Sequence, residues 1–144
     1  MTRHSWLCLF LLVLAPVAGA ADDSRTLVQM PPEARAALRA EMLDFQLALH
    51  QVVAALAEGK FAEAADIADR QMGVAAMGRH RNAPANARPG SYMPEDMHLI
   101  ARNMHGAGSG FAITARGGDL AKSLNALQAV TGACVGCHRA YRTQ

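Results

Sequence analysis

The chain has 144 residues, a formal net charge of +2 and an apolar content of 51%. This length suits one compact domain and excludes a multidomain enzyme. The near-neutral charge argues against a protein that mainly binds nucleic acid or an anionic membrane surface. Aromatic residues make up only 5%, and alanine and leucine dominate the apolar content, so the composition favours helices.

The first twenty residues have the layout of a secretory signal. Basic Arg3 opens the segment, an apolar run follows at 7–17, and small residues occupy 18–20. The run is shorter than the roughly twenty apolar residues that a spanning helix needs. We therefore predict a signal peptide at 1–20 and a mature domain at 21–144 without a membrane span, with an uncleaved anchor as the alternative.

Two helices are predicted in the first half of the mature domain. The first begins near Pro32, which suits a first helical turn, and ends at Gly59. The second is predicted over residues 60–76. Apolar residues in the first helix recur at spacings of three and four, which is the period of one helical face. This stripe comprises Leu38, Met42, Phe45, Leu49, Val52 and Leu56.

Two further helices follow a proline- and glycine-containing loop at 78–92. One begins near Pro94 and ends at Gly117, and Asp119 is placed to cap the last. The last stripe comprises Leu120, Leu124, Leu127, Thr131, Cys134, His138 and Tyr141. No strand signal is present. Short connections place helix one against two and three against four, which predicts an all-α, antiparallel four-helix bundle.

The motif with chemical meaning is C-x-x-C-H at 134–138, the attachment signature of a c-type haem. Cys134 and Cys137 are three positions apart, so a helix presents both thiols on nearly the same face. Each thiol could form a thioether with one vinyl group of a single porphyrin. His138 follows at four positions from Cys134 and could bind the iron. The sequence therefore predicts one covalent haem c.

Other interpretations of the motif have specific requirements. A thioredoxin-like site needs a strand before its helix, whereas a long helical stripe precedes Cys134. A structural zinc site needs two more ligands, and the mature domain has no second cysteine pair. A structural disulfide remains open, but it leaves His138 in the stripe without a role.

The segment at 137–142 reads C-H-x-x-Y-R and lies on the last of four predicted helices. In this it resembles the cytochrome c prime family and its low-spin relatives, the class II cytochromes c. Val135 departs from the lysine that the family often has. The resemblance implies one haem near the carboxyl end of a four-helix bundle in the periplasm of a Gram-negative bacterium. It also implies a homodimer through the first two helices as a candidate oligomeric state.

The resemblance also implies which residues surround the iron. The family takes its sixth-position residue from the first helix, and low-spin relatives have methionine there, which matches Met42. Met104 lies at the same predicted depth, so spacing alone does not separate the two. Arg142 resembles the family's arginine beside the proximal histidine. Arg39 or Arg35 would pair with a haem propionate, although Arg39 is one position closer to Met42 than the family pattern.

Two functions remain open from the sequence. With His138 and Met42 as axial ligands, the iron would carry single electrons between redox partner proteins without acting as an enzyme. With Met42 turned away, a five-coordinate iron would bind nitric oxide or carbon monoxide in gas binding, sensing or detoxification. The basic loop at 79–88 could steer an acidic redox partner, with a solvated crossover as the alternative. His105, beside Met104, is expected at a polar edge rather than as a ligand.

Overall fold

The computed structural model describes residues 22–144, and the predicted signal peptide at 1–20 lies outside them. The described part is mostly helical, as predicted. Its four helices are α1 (Pro32–Ala57), α2 (Phe61–Gln71), α3 (Glu95–Ala115) and α4 (Leu120–Ala140). Two short strands, β1 (Thr26–Leu27) and β2 (Tyr141–Arg142), lie before and after the helices. Three single turns of 3-10 helix occupy Val74–Ala76, Ala85–Ala87 and Pro89–Tyr92.

The helix ends follow local chemistry. Pro32 occupies the first turn of α1, and Gly59 follows that helix with a positive φ of 70°. The Lys122 N–H donates to the Asp119 carboxylate at 2.9 Å, which caps α4. α2 is shorter than predicted, because the chain leaves the helix at Met72 and Gly73 is extended.

The helices pack in sequence, α1 on α2, α2 on α3 and α3 on α4. Their shared core includes Val52 and Leu56 from α1, Phe111 from α3 and Val130 from α4. Short side chains let α2 and α3 approach closely: a Cβ at Gly108 would lie only 2.6 Å from the Met72 carbonyl oxygen. The pairing of α1 with α2 and of α3 with α4 is therefore as predicted.

The buried face of α4 differs from the predicted stripe. Leu120 and Leu124 are each 46% exposed, whereas Ser123 is fully buried together with Leu127 and Val130. The small Ser123 side chain lets α4 approach its neighbours closely, and the two leucines are left at the margin of the contact. The spacing of apolar residues predicted the helical period of α4 correctly. The face that is buried in the structure is rotated relative to the predicted face.

β1 and β2 form a parallel pair that the sequence did not predict. Thr26 pairs with Tyr141 and Leu27 with Arg142, and the Val28 N–H donates to the Arg142 carbonyl at 2.8 Å. Strands of two residues carry no periodicity that could reveal them. The pair fixes the segment before α1 against the end of α4. Within residues 22–144, none of the helices has the length and apolar character needed to cross a bilayer.

Candidate functional site

A cavity of about 430 Å³ opens between α1, α3 and α4. The backbones of α1 and α4 are not closely packed, and the cavity lies between them. Its volume falls within the roughly 300–1,000 Å³ typical of cofactor sites. The wall includes Leu38, Met42 and Phe45 from α1, Met97, Met104 and His105 from α3, and Cys134, Cys137 and His138 from α4.

The C-x-x-C-H motif occupies the α4 wall of this cavity. Cys134 and Cys137 are half-buried free thiols. Burial raises the pKa of both thiols, and the neighbouring Cys134 raises the pKa of Cys137 further. His138 lines the cavity but is exposed at its open side rather than buried in the core. The structure therefore brings the three predicted haem-binding residues to one cavity.

Four methionines border the cavity, namely Met42, Met93, Met97 and Met104. Met72 is only 2% exposed within the main core and does not line the cavity. Met104 is buried in that core too, although one side of it reaches the cavity. Met42 is half-buried and packs in the same apolar cluster as Cys137.

Met42 and Met104 line the cavity from different helices. α3 packs directly on α4, whereas α1 is separated from α4 by the cavity. Met42, on α1, therefore lies across the opening from His138, while Met104 lies on the adjoining helix.

Two of the predicted arginines, Arg39 and Arg142, line the cavity. Arg39 is exposed and lines the cavity, whereas Arg35 belongs to a separate shallow depression beside it. The Arg142 Nε atom is 3.6 Å from an Asp23 carboxylate oxygen, and the side chain lines the cavity. Of the two candidates for a propionate partner, only Arg39 contributes to the wall.

Arg25 is a cavity residue that the sequence did not reveal. Its guanidinium pairs with the Asp23 carboxylate at 2.6 Å, and Nη1 donates to the His138 carbonyl at 3.3 Å. Arg25 holds the pKa of Asp23 down to about 2. Because Arg25 precedes the helices and reaches α4 through the β1–β2 pairing, helical periodicity carried no signal for it.

Arg79 fastens the loop at 78–92 to α1 beside the cavity. Its Nη1 atom is 2.8 Å from the Asp44 carboxylate, and its Nε atom is 3.4 Å from Glu41, which lines the cavity. The same guanidinium lies 5.5 Å from the centre of the Phe45 ring. Arg79 is thus paired with α1 instead of being free to attract an acidic partner.

His105 is buried, contrary to the expectation of a polar edge. Its side chain lines the cavity, and only 7% of the residue is exposed. The Nδ1 atom lies 3.0 Å from the Met72 carbonyl oxygen and 3.1 Å from that of Gly73. The sequence missed this environment because the carbonyls come from the end of another helix.

The described residues fit a covalently held haem. One cavity offers two free thiols, an imidazole and several thioethers, and its lining also includes Arg25, Arg39 and Arg142. Within residues 22–144, no three His, Cys, Asp or Glu side chains converge as a site for a bare metal ion. No protein-family model matches the chain, and no curated protein or solved structure matches it either.

Proposed function

We propose that this protein is an exported c-type cytochrome that carries single electrons through one covalent haem. The proposed architecture is the antiparallel four-helix bundle of the cytochrome c prime kind. The observation that carries the proposal is that Cys134, Cys137 and His138 all line one cavity, with Met42 across it on α1. Two thiols and an imidazole at this spacing match the attachment chemistry of haem c.

Each residue has a distinct task in this proposal. Cys134 and Cys137 hold the haem through thioether bonds, and His138 provides the proximal nitrogen. Met42 provides a soft sulfur on the opposite side, which favours ferrous iron and a higher potential. Haem supplies an iron that changes between the ferric and ferrous states. With both axial positions filled, the protein acts as an electron carrier rather than an enzyme.

The surroundings of the cavity suit electron transfer. Leu38, Met97 and Phe45 give it a largely apolar wall, which excludes water and limits the reorganisation that accompanies a change of iron charge. Arg39 and Arg142 line the cavity, where they could pair with the haem propionates.

The visible spectrum of the holoprotein, matured in a cell competent for haem attachment, tests the proposal. We expect a mass equal to polypeptide plus one haem, sharp split α and β bands, and a far-red sulfur-to-iron band. Met42→Ala should remove the far-red band, while the control Met104→Leu should keep it. Broad high-spin bands in the wild type would instead favour the five-coordinate, gas-binding function.

Covalent attachment is tested separately through the two cysteines. The double variant Cys134→Ser/Cys137→Ser should release all of its haem on denaturation, because no thioether remains. Val135→Ser is the matched control, since Val135 lies between the two cysteines and is exposed. A colourless wild-type protein with the mass of the bare polypeptide would contradict the proposed function altogether.

A further inference from the structure

His105 has a fixed orientation in the cavity wall. Its Nδ1 atom lies within hydrogen-bond distance of two backbone carbonyls, those of Met72 and Gly73. Carbonyl oxygens only accept hydrogen bonds, so Nδ1 carries the ring hydrogen and donates it. In a neutral imidazole the other nitrogen then has a free lone pair. The Nε2 atom of His105 is therefore an acceptor or a metal ligand.

The close contact between α2 and α3 holds this arrangement in place. Gly108, one turn after His105, allows the Met72 carbonyl to approach α3 more closely than any side chain would permit. The carbonyls that receive the Nδ1 hydrogen are thereby fixed relative to the ring. Metal-ligating histidines almost always donate their second nitrogen in this manner, often to a backbone carbonyl.

The opposite end of the ring faces the cavity on the side of α1. His105 and Phe45 meet edge to face, with ring centres 5.8 Å apart and planes at 79°. Phe45 lies one helical turn from Met42. Within the described residues, His105 forms its hydrogen bonds through Nδ1, and Nε2 has no partner. Nε2 is not among the fully buried polar atoms that lack a partner, so it is accessible from the cavity that His105 lines, and its lone pair is free to bind a ligand.

We propose that His105 is a reserve nitrogen ligand of the haem iron, and that its Nε2 atom occupies the sixth position when the Met42 thioether is removed. The proposal rests on the proposed function, because it requires haem in the cavity. His105 would thus replace Met42 as the ligand that binds the iron together with His138. Its consequence is that loss of Met42 leaves the iron six-coordinate, with two imidazoles, rather than open to gases.

The spin state of the Met42→Ala holoprotein tests this proposal. We expect the far-red sulfur band to disappear while the α and β bands stay sharp, and the electron paramagnetic resonance spectrum to show bis-imidazole ferric haem. Met42→Ala/His105→Phe should then become high-spin. Met42→Ala/Met104→Leu is the matched control, and it should stay low-spin because it retains His105.

Three results would overturn the proposal. A high-spin Met42→Ala protein, identical in spectrum to the Met42→Ala/His105→Phe protein, would show that His105 does not bind the iron. A sulfur band that persists in Met42→Ala would show that another methionine is the ligand. Colourless protein would overturn the haem proposal and this one together, whereas a coloured high-spin variant overturns the reserve ligand alone.

A second substitution at position 105 serves as a folding control for His105→Phe. His105→Gln keeps an N–H that can donate towards the Met72 and Gly73 carbonyls but removes the imidazole. In the Met42→Ala background it should also yield high-spin haem, with the helical circular dichroism of the single variant retained. A low-spin spectrum in this folded double variant would contradict the role of His105.

Discussion

The two sides of α3 have different surroundings, a closely packed core on one side and a cavity on the other. Towards α2, Gly108 has no side chain and so allows the two backbones to approach closely. Alanines of both helices are fully buried beside Phe111. Towards α1 and α4, the same helix presents Met97 and Met104 to an open cavity. Small residues bring helices together into a dry core, whereas long flexible side chains border a space that a cofactor can fill.

The largest difference between the two sides should appear on truncation of Phe111, which is 1% exposed. In apoprotein, Phe111→Ala should lower the free energy of unfolding by about 3–5 kcal/mol, because it leaves a void in the packed core. Met97→Ala should lower the free energy of unfolding by less, since Met97 already borders the cavity. Denaturant titration measures both changes.

The control for Phe111 is Ile113, which lies on the same helix but is 73% exposed. Ile113→Ala should change the free energy of unfolding by no more than about 0.5 kcal/mol. If Phe111→Ala and Met97→Ala lowered the free energy of unfolding by similar amounts, the distinction between a packed side and an open side of α3 would be contradicted.

The next effect concerns the approach of α2 to α3. Gly108→Ala should destabilise the protein by about 1–3 kcal/mol, because the added Cβ meets the Met72 backbone. Gly110→Ala is the matched control on the same helix, where a Cβ would meet nothing within 4 Å. It should stabilise the helix by up to about 1 kcal/mol. Thermal unfolding of both variants would show whether their effects have opposite signs.

The open side can be examined through the reactivity of its thiols. Burial raises the pKa of Cys134 and Cys137, so the folded apoprotein has less thiolate than the unfolded chain at about pH 8.5. Alkylation by iodoacetamide should therefore be slower in the folded protein than in denaturant. Cys134→Ser should speed the reaction of Cys137, because it removes the neighbouring negative charge. Equal rates in folded and unfolded protein would contradict half-buried thiols.

The same thiols imply a direction for alkaline stability. A thiol whose pKa is raised by folding binds its proton more tightly in the native state. Above the ordinary thiol pKa the unfolded chain ionises first, so the apoprotein should lose stability as pH rises. Mature holoprotein should lack this loss, because its two sulfurs would be thioethers.

The smallest expected effect comes from the ion pair of Asp23 and Arg25. Arg25 lowers the pKa of Asp23 from 3.8 to about 2, so the pair stabilises the native state above the ordinary pKa. That contribution should fall as pH drops from 3.8 and vanish below about 2. The wild-type apoprotein and the Asp23→Asn apoprotein should therefore differ slightly in stability at neutral pH. In strong acid their stabilities should become equal. A difference that persists in strong acid would exclude the ion pair as its cause.

The main helices could be predicted because their signals are local. Pro32, Gly59 and Asp119 mark helix ends through backbone chemistry that depends on a few neighbouring residues. Cys134, Cys137 and His138 could be assigned to one face of α4 for the same reason, since positions three and four apart are neighbours on any helix. Their meeting in one cavity agrees with that assignment.

The features that the sequence did not predict depend on contacts between distant segments. Burial of His105 requires α2 to end beside α3, and Arg25 reaches the end of α4 from a segment that precedes every helix. The exposure of Leu120 and Leu124 depends on how α4 is rotated against its neighbours. Periodicity describes one helix at a time and contains none of these relations.

The β1–β2 pair has a consequence for the order in which the protein assembles. β1 precedes all four helices and β2 follows them, so the two strands can meet only after every helix has been synthesised. Until then, the segment that carries Arg25 cannot reach the carbonyl of His138. The cavity between α1 and α4 would therefore stay more accessible until the end of the chain is in place, and the strand pair would be among the last contacts to form.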